Sequence, residues 1–189
     1  MKILQNKMLS KYKYLIGLIL FSIIISIINP RFLTISNLLN VFRQTSINSI
    51  IAAGMTFVIL TGGIDLSVGS TLAISGAIAA SMIAGGFNTI IVVIVALAIG
   101  GLIGAFNGFV ISKGKVQPFI ATLAAMTLVR GYTLVYTQGK PISTGYEKNA
   151  EVFAKIGEGY LFGIPIPIYL MIAVFALSFY VLKYTRLGR

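Results

Sequence analysis

Asp65, Glu147, Glu151 and Glu158 are the only carboxylates in 189 residues, and Cys, His and Trp are absent. Without Cys or His there is no thiol nucleophile and no imidazole base. Zinc or copper would have almost nothing to bind, so neither a metal nor a cofactor is expected. Gly-x-x-x-x-Gly-Lys-Ser/Thr does not occur, so ATP is not bound through a P-loop. Gly-x-Ser-x-Gly and paired intramembrane carboxylates are also missing. What remains is recognition by hydrogen bonds and charge, from polar groups scattered through long apolar runs.

The densest set is Thr122, Met126, Arg130, Thr133 and Thr137, spaced by four, four, three and four. On a helix they share one face, a partly polar stripe with one permanent cation. Arg130 lies about 10 Å along the axis from Thr137. It either reaches outward to the interface, or lines an aqueous path or pairs with another helix. Asn107 stands beside Gly104 and Gly108, where its amide meets another helix as a structural hydrogen bond or contacts a ligand. Asn48 and Thr56 carry the same two readings. Asp65 is the only acid in the first 146 residues and follows Gly62 and Gly63. Either the glycines end one helix and Asp65 caps the next, or the segment is a break within the membrane where helix ends and a carboxylate line a permeation path. The stripe alone motivates the expectation that Thr122, Arg130 and Thr133 line or brace such a path.

These groups must be held by membrane-spanning helices. The chain is 57% hydrophobic and 10% charged, against roughly 25% charged in a typical soluble domain. That leaves too little polar surface for a water-soluble globule and excludes a cytosolic enzyme. Charge-free runs cover 14–30, 44–64, 66–112, 116–129 and 159–182. A span needs about 20 apolar residues, so the run over 66–112 holds two, divided near Gly85, Gly86 and Asn88. The pattern predicts an all-α polytopic bundle in one transmembrane domain over 1–189. Six spans are expected at about 10–28, 45–61, 66–84, 89–112, 116–137 and 165–183. A short interfacial helix at 35–44 is expected to lie on the membrane before the chain turns in. The first span is expected to be an uncleaved signal anchor, because no small-x-small site follows it.

Small residues recur at four-residue spacing: Gly100, Gly104 and Gly108 in the fourth span, and Gly69, Ala73 and Ala77 in the third. Such ridges let backbones approach, so these spans are expected inside the bundle. The sixth span lacks such a ridge and is expected to face lipid. With the N-terminus inside, the inner segments carry nine Lys and Arg, among them Lys2, Lys7, Lys11, Lys113, Lys115 and Arg189, and the outer segments five. Both termini are therefore expected in the cytoplasm. The net charge of +11 is read as contact with anionic lipid headgroups, not nucleic acid. The polar stretch 138–163 is then the largest external surface, a docking site or a plain connector. Tyr146, Ala150, Phe153 and Ile156 in it suit one or two amphipathic turns.

Six blocks carry a family resemblance, in order and across the whole chain. Asn29-Pro30-Arg31-Phe32-Leu33-Thr34 with Asn37-Leu38-Leu39-Asn40 comes first, then Thr61 through Ser70. Gly104 through Gly108, Pro118 through Leu123, Arg130-Gly131 and Gly139 through Ile142 follow. Together they resemble the ribose-type sugar permeases of ATP-binding-cassette importers. The resemblance implies a channel subunit in a bacterial cytoplasmic membrane that passes a monosaccharide or similar small polyol by alternating access. It also implies a second permease subunit, a cytosolic ATPase and an extracytoplasmic sugar-binding protein as partners, and puts Asp65, Asn107 and Arg130 at motif positions. Family members run on beyond the position of Arg189, so this chain corresponds to their N-terminal portion. Lacking the cytoplasmic ATPase-docking loop, it is expected not to couple to ATP hydrolysis alone. An ion-coupled transporter fragment, with a cation at the Gly62–Asp65 break, and a non-transporting assembly subunit are the other classes the residues allow.

Overall fold

The computed structural model of the protein describes residues 2–145, 148–186 and 188, with the backbone alone for 2–11. Tyr146, Glu147 and Arg189, and the side chains of Lys2, Lys7 and Lys11, lie outside the described residues. The chain divides at Gln44–Thr45 into two units.

The first unit opens with α1 (Lys2–Ile28). A turn follows, closed by its own polar side chains. Asn29 Oδ1 accepts the Arg31 N–H at 3.1 Å, and the Thr34 hydroxyl donates to the Arg31 carbonyl at 2.8 Å. Asn37 Nδ2 donates to the Phe32 carbonyl at 2.7 Å. The polar letters of the first motif block thus satisfy backbone groups in this turn.

The next helix, α2 (Ile35–Leu60), corrects one expectation. A separate interfacial helix at 35–44 does not form, because 35–44 and 45–60 are one helix. No Gly or Pro stands between Ile35 and Ala53, so nothing interrupts the i→i−4 ladder. The change from amphipathic to apolar pattern alters the surroundings of the helix, not its backbone.

In the second unit α3 (Val68–Ala84) packs chiefly on α4 (Thr89–Ser112) and α5 (Pro118–Thr137), which also touch each other. The division between α3 and α4 falls where the sequence puts it. Gly85 takes the C-cap of α3, and Asn88 Oδ1 accepts the Ile90 N–H at 2.8 Å at the start of α4. Asn88→Ala is expected to cost about 1 kcal/mol of unfolding free energy in detergent, the usual value of an N-cap. Between α4 and α5 a Cβ at Gly114 would strike the Val110 carbonyl, so the turn demands glycine. Pro118 then opens α5, where its missing N–H costs nothing.

α6 (Lys148–Glu158) covers the α3–α4 end of the bundle. Ala150 joins Ala79, Ile83 and Val92 in a buried cluster flanked by Met82 and Phe153. Asn149 fastens the helix: its Nδ2 donates to the Gly86 carbonyl at 3.1 Å, and its carbonyl accepts the Thr89 hydroxyl at 3.1 Å. The amphipathic turns expected around Ala150 and Phe153 are this helix. On its outer face Lys155 meets Glu151 at 2.7 Å, with both side chains exposed. The hydrogen bond and charge of Lys155 draw the Glu151 carboxyl below its ordinary value. The small stabilisation is present above the ordinary carboxylate range and fades as pH falls through the lowered value.

β1 (Tyr160–Leu161) and β2 (Ile164–Pro165) form a two-residue antiparallel ribbon that the sequence pattern did not announce. Its turn residues Phe162 and Gly163 both have positive φ, as a two-residue hairpin requires. α7 (Ile166–Tyr184) leaves this ribbon and touches α6 and β2, and Pro167 is its one buried residue. The architecture is therefore all-α apart from the ribbon. Among the described residues α4, α5 and α7 are long and apolar enough to cross a membrane, while Tyr12–Ile28 and α3 are shorter apolar helices. At 1.5 Å per residue the 17 residues of α3 span about 25 Å, less than a hydrocarbon core.

Candidate functional site

The break between α2 and α3 gathers the polar groups. Gly62 adopts a left-handed backbone (φ 76°), and the Gly63 N–H returns to the Val58 carbonyl at 3.1 Å, which ends α2. Residues 61–67 then run without helix. Asp65 Oδ1 accepts the Ser67 N–H at 2.8 Å and the Ser67 hydroxyl at 2.6 Å. The carboxylate thus closes a turn one residue ahead of α3, and does not cap the helix's own first N–H groups.

Neighbouring helices bond to the same segment. Asn107, 5% exposed on α4, donates from Nδ2 to Ser67 Oγ at 2.9 Å. Its amide meets another element, as the position beside Gly104 and Gly108 suggested. Thr122 on α5 is 1% exposed and directs its hydroxyl to the Pro118 carbonyl at 2.8 Å and the Ile64 carbonyl at 3.1 Å. One turn further on, the Ser70 hydroxyl of α3 donates to the Met126 carbonyl of α5 at 2.9 Å. Three helices and the break are tied by these side chains, with the Thr122 hydroxyl shared between the break and its own helix.

Two recesses open at this point. One, about 350 Å³, is lined by Asp65, Asn107, Gly104, Gly108, Pro118 and Thr122 among others. The other, about 280 Å³, shares Asp65 and Gly104 and adds Ser67, Thr71 and Gly100. Among the described residues no other charged side chain lines either one. Arg130 lies elsewhere. It is exposed and borders a groove of about 410 Å³ between α3 and α5, with Gly69, Ser70, Ala73, Met126 and Thr133. The Thr133 hydroxyl is spent on the Val129 carbonyl of its own helix at 2.7 Å. The stripe of α5 therefore divides, with Thr122 turned to the break and Arg130 and Thr133 to the second groove. The Thr56 hydroxyl also bonds within its own helix, to Ala52 at 2.9 Å, and Asn48 is exposed.

The small-residue ridges border these openings. A Cβ on Gly100 would meet Thr71 Cγ2 at 3.9 Å, whereas on Gly69, Gly104 or Gly108 it would meet nothing within 4 Å. Ala73 is exposed and Ala77 half-buried. Ser67 and Ser70 are the residues that sequence reasoning left without a role. Each is a serine at or just inside a helix start, Ser67 two residues after a lone acid and Ser70 directly after a glycine, which is the signal that could have found them.

Residues 37–189 match the family described as branched-chain amino acid transport system / permease component. The chain belongs to this permease family. It is 55% identical over 184 residues to the ribose import permease protein RbsC of Haemophilus influenzae, covering 97% of this chain and 57% of that protein. The ribose import permease protein RbsC of Bacillus subtilis is 50% identical, with 92% and 53% covered. The galactofuranose transporter permease protein YtfT of Escherichia coli is 33% identical, with 92% and 52% covered. The chain thus spans about half the length of the curated relatives it matches. No solved structure matches it. The ribose-type resemblance drawn from the six blocks stands.

Proposed function

We propose that the chain supplies the N-terminal part of the membrane channel of an ATP-driven sugar importer, carrying ribose or a similar small monosaccharide. The observation that carries this reading is 55% identity to a ribose import permease along nearly the whole chain. The geometry supports it. A carboxylate and a buried amide border an opening flanked by Gly104 and Gly108, and a polyol offers hydroxyl donors and acceptors to such a pair. Irregular backbone at membrane depth is tolerated where it lines a cavity or is buried in protein, which suits residues 61–67. In this reading Asp65, Asn107 and Thr122 border the sugar path, and Arg130 and Thr133 flank it across α3. Gly100 lets α4 approach α3 at Thr71, Gly104, Gly108, Gly69 and Ala73 leave space at the openings, and Ala77 continues the α3 ridge.

The partners are a second permease subunit, a cytosolic ATPase that performs the hydrolysis, and an external sugar-binding protein. ATPase closure biases the helices between outward-open and inward-open states. The chain threads the bacterial cytoplasmic membrane six times, with both termini inside. Because the sequence has no cysteine, Lys113→Cys and Gly145→Cys each provide a unique thiol. Impermeant reagents are expected to reach Gly145→Cys from outside and Lys113→Cys only from inside. Labelling of both from one side would sink the threading.

Labelled ribose uptake by cells whose only ribose permease is a full-length permease built with this sequence as its N-terminal part tests the function. Uptake is expected, and it should stop when the partner ATPase is inactivated. Uptake that survives ATPase loss but fails when the ion gradient collapses would instead assign an ion-coupled transporter. Co-purification with an ATPase or second permease without uptake would leave only an assembly role.

A further inference from the structure

Ser67 occupies the N-cap position of α3, where a serine oxygen ordinarily accepts a first-turn N–H. Its side chain makes no such bond. It is 1% exposed and turned instead toward two other side chains. The hydroxyl donates to Asp65 Oδ1 at 2.6 Å and accepts from Asn107 Nδ2 at 2.9 Å. A hydroxyl has one hydrogen, so the direction of this chain is fixed: amide to hydroxyl, hydroxyl to carboxylate. Asp65 receives a second bond from the Ser67 N–H, also on Oδ1. Among the described residues Oδ2 receives none, and Asp65 lines both recesses.

We infer that Ser67 is a positioning residue. It gives up its capping role to clamp one oxygen of Asp65 against α4, and so presents the other oxygen to the path as an acceptor for a polyol hydroxyl. Asn107 acts through Ser67: its amide polarises the hydroxyl and fixes the break to α4. A charge-assisted bond in a low-dielectric site is both stronger and more directional than one in water. The free oxygen therefore keeps one orientation while neighbouring helices move. The functional half of this inference rests on the sugar-path reading above.

Asp65 is the only aspartate in the sequence. Carboxyl-labelled aspartate therefore gives an isotope-edited infrared band from this one group in the purified chain. Ser67→Ala is expected to displace the carboxylate band, and Ser67→Thr, which keeps the hydroxyl, to restore it. Asn107→Leu should displace it by a smaller amount. If Ser67→Ala loses helicity by circular dichroism, Asn107→Leu carries the test. In a full-length permease built with this sequence as its N-terminal part, Ser67→Ala should lower ribose uptake about tenfold, the effect of one lost charge-assisted bond, with Ser67→Thr near the unsubstituted rate. A band unmoved by these variants overturns the clamp and leaves the path reading standing. A displaced band with unchanged uptake overturns the path reading, and with it the role given to Ser67.

Discussion

Gly104→Leu in a full-length permease built with this sequence as its N-terminal part is expected to reduce sugar uptake to background while the chain folds as well as before. Gly104 borders both recesses that contain Asp65. A Cβ there would meet nothing within 4 Å, so the new side chain starts out from the helix without a clash at its first atom. Replacing glycine in a helix interior also removes an entropic cost of about 0.8–1.0 kcal/mol. Unfolding in detergent should therefore be unchanged or slightly harder. The prediction separates two uses of the same glycine. If Gly104 keeps a path open, uptake is lost while the partner ATPase and permease still co-purify. If it serves to receive a helix from elsewhere, Gly104→Leu abolishes assembly as well. Normal uptake and normal assembly together would sink both.

Ile83→Ala should destabilise the chain by about 2–5 kcal/mol, the range for removing a buried aliphatic side chain whose cavity does not fully collapse. Ile83 is 1% exposed and packs with Ala79, Val92 and Ala150. Ala79 and Ala150 in this cluster are too short to reach into the space it would leave. The cluster also holds α6 down, together with the two Asn149 bonds. Loss of Ile83 should therefore free α6 first. Ala150→Cys, a unique thiol now 4% exposed at the parent residue, should react far faster with maleimide in the Ile83→Ala background. A change in unfolding free energy under about 1 kcal/mol with no gain in reactivity would show that α6 is held by its hydrogen bonds alone.

Most helix boundaries were legible in the sequence. Gly85 and Asn88 separate α3 from α4 because one residue type ends a helix and the other caps the next. Pro118 opens α5 for an equally local reason. Ala150 and Phe153 marked α6 through spacing alone. The continuity of α2 was less legible. Its change of pattern near residue 44 reads as a corner, but pattern reports surroundings while backbone continuity depends on the absence of Gly and Pro. The ribbon at 160–165 escaped notice because its turn uses Phe162, a residue that rarely takes positive φ.

The candidate site divides in the same way. Asp65, Asn107 and Thr122 stood out by type, since a polar group in an apolar run needs a partner. Which partner it takes depends on atoms distant in sequence, so no local rule could join Asn107 to Ser67 across 40 positions. The α5 stripe shows the converse: periodicity put Thr122 and Arg130 on one face, yet neighbours on either side divide that face between two openings.

By itself the sequence determined that the chain is built of apolar helices, that its motif order is that of the ribose-type permeases, and where most of those helices start and stop. Composition, capping and motif order are properties of short stretches, and they survive in any packing. The tertiary structure alone decided that Asp65, Ser67, Asn107 and Thr122 converge at one break while Arg130 opens elsewhere. Hydrogen-bond partners and recesses arise from how helices meet, and that geometry is written in no single segment.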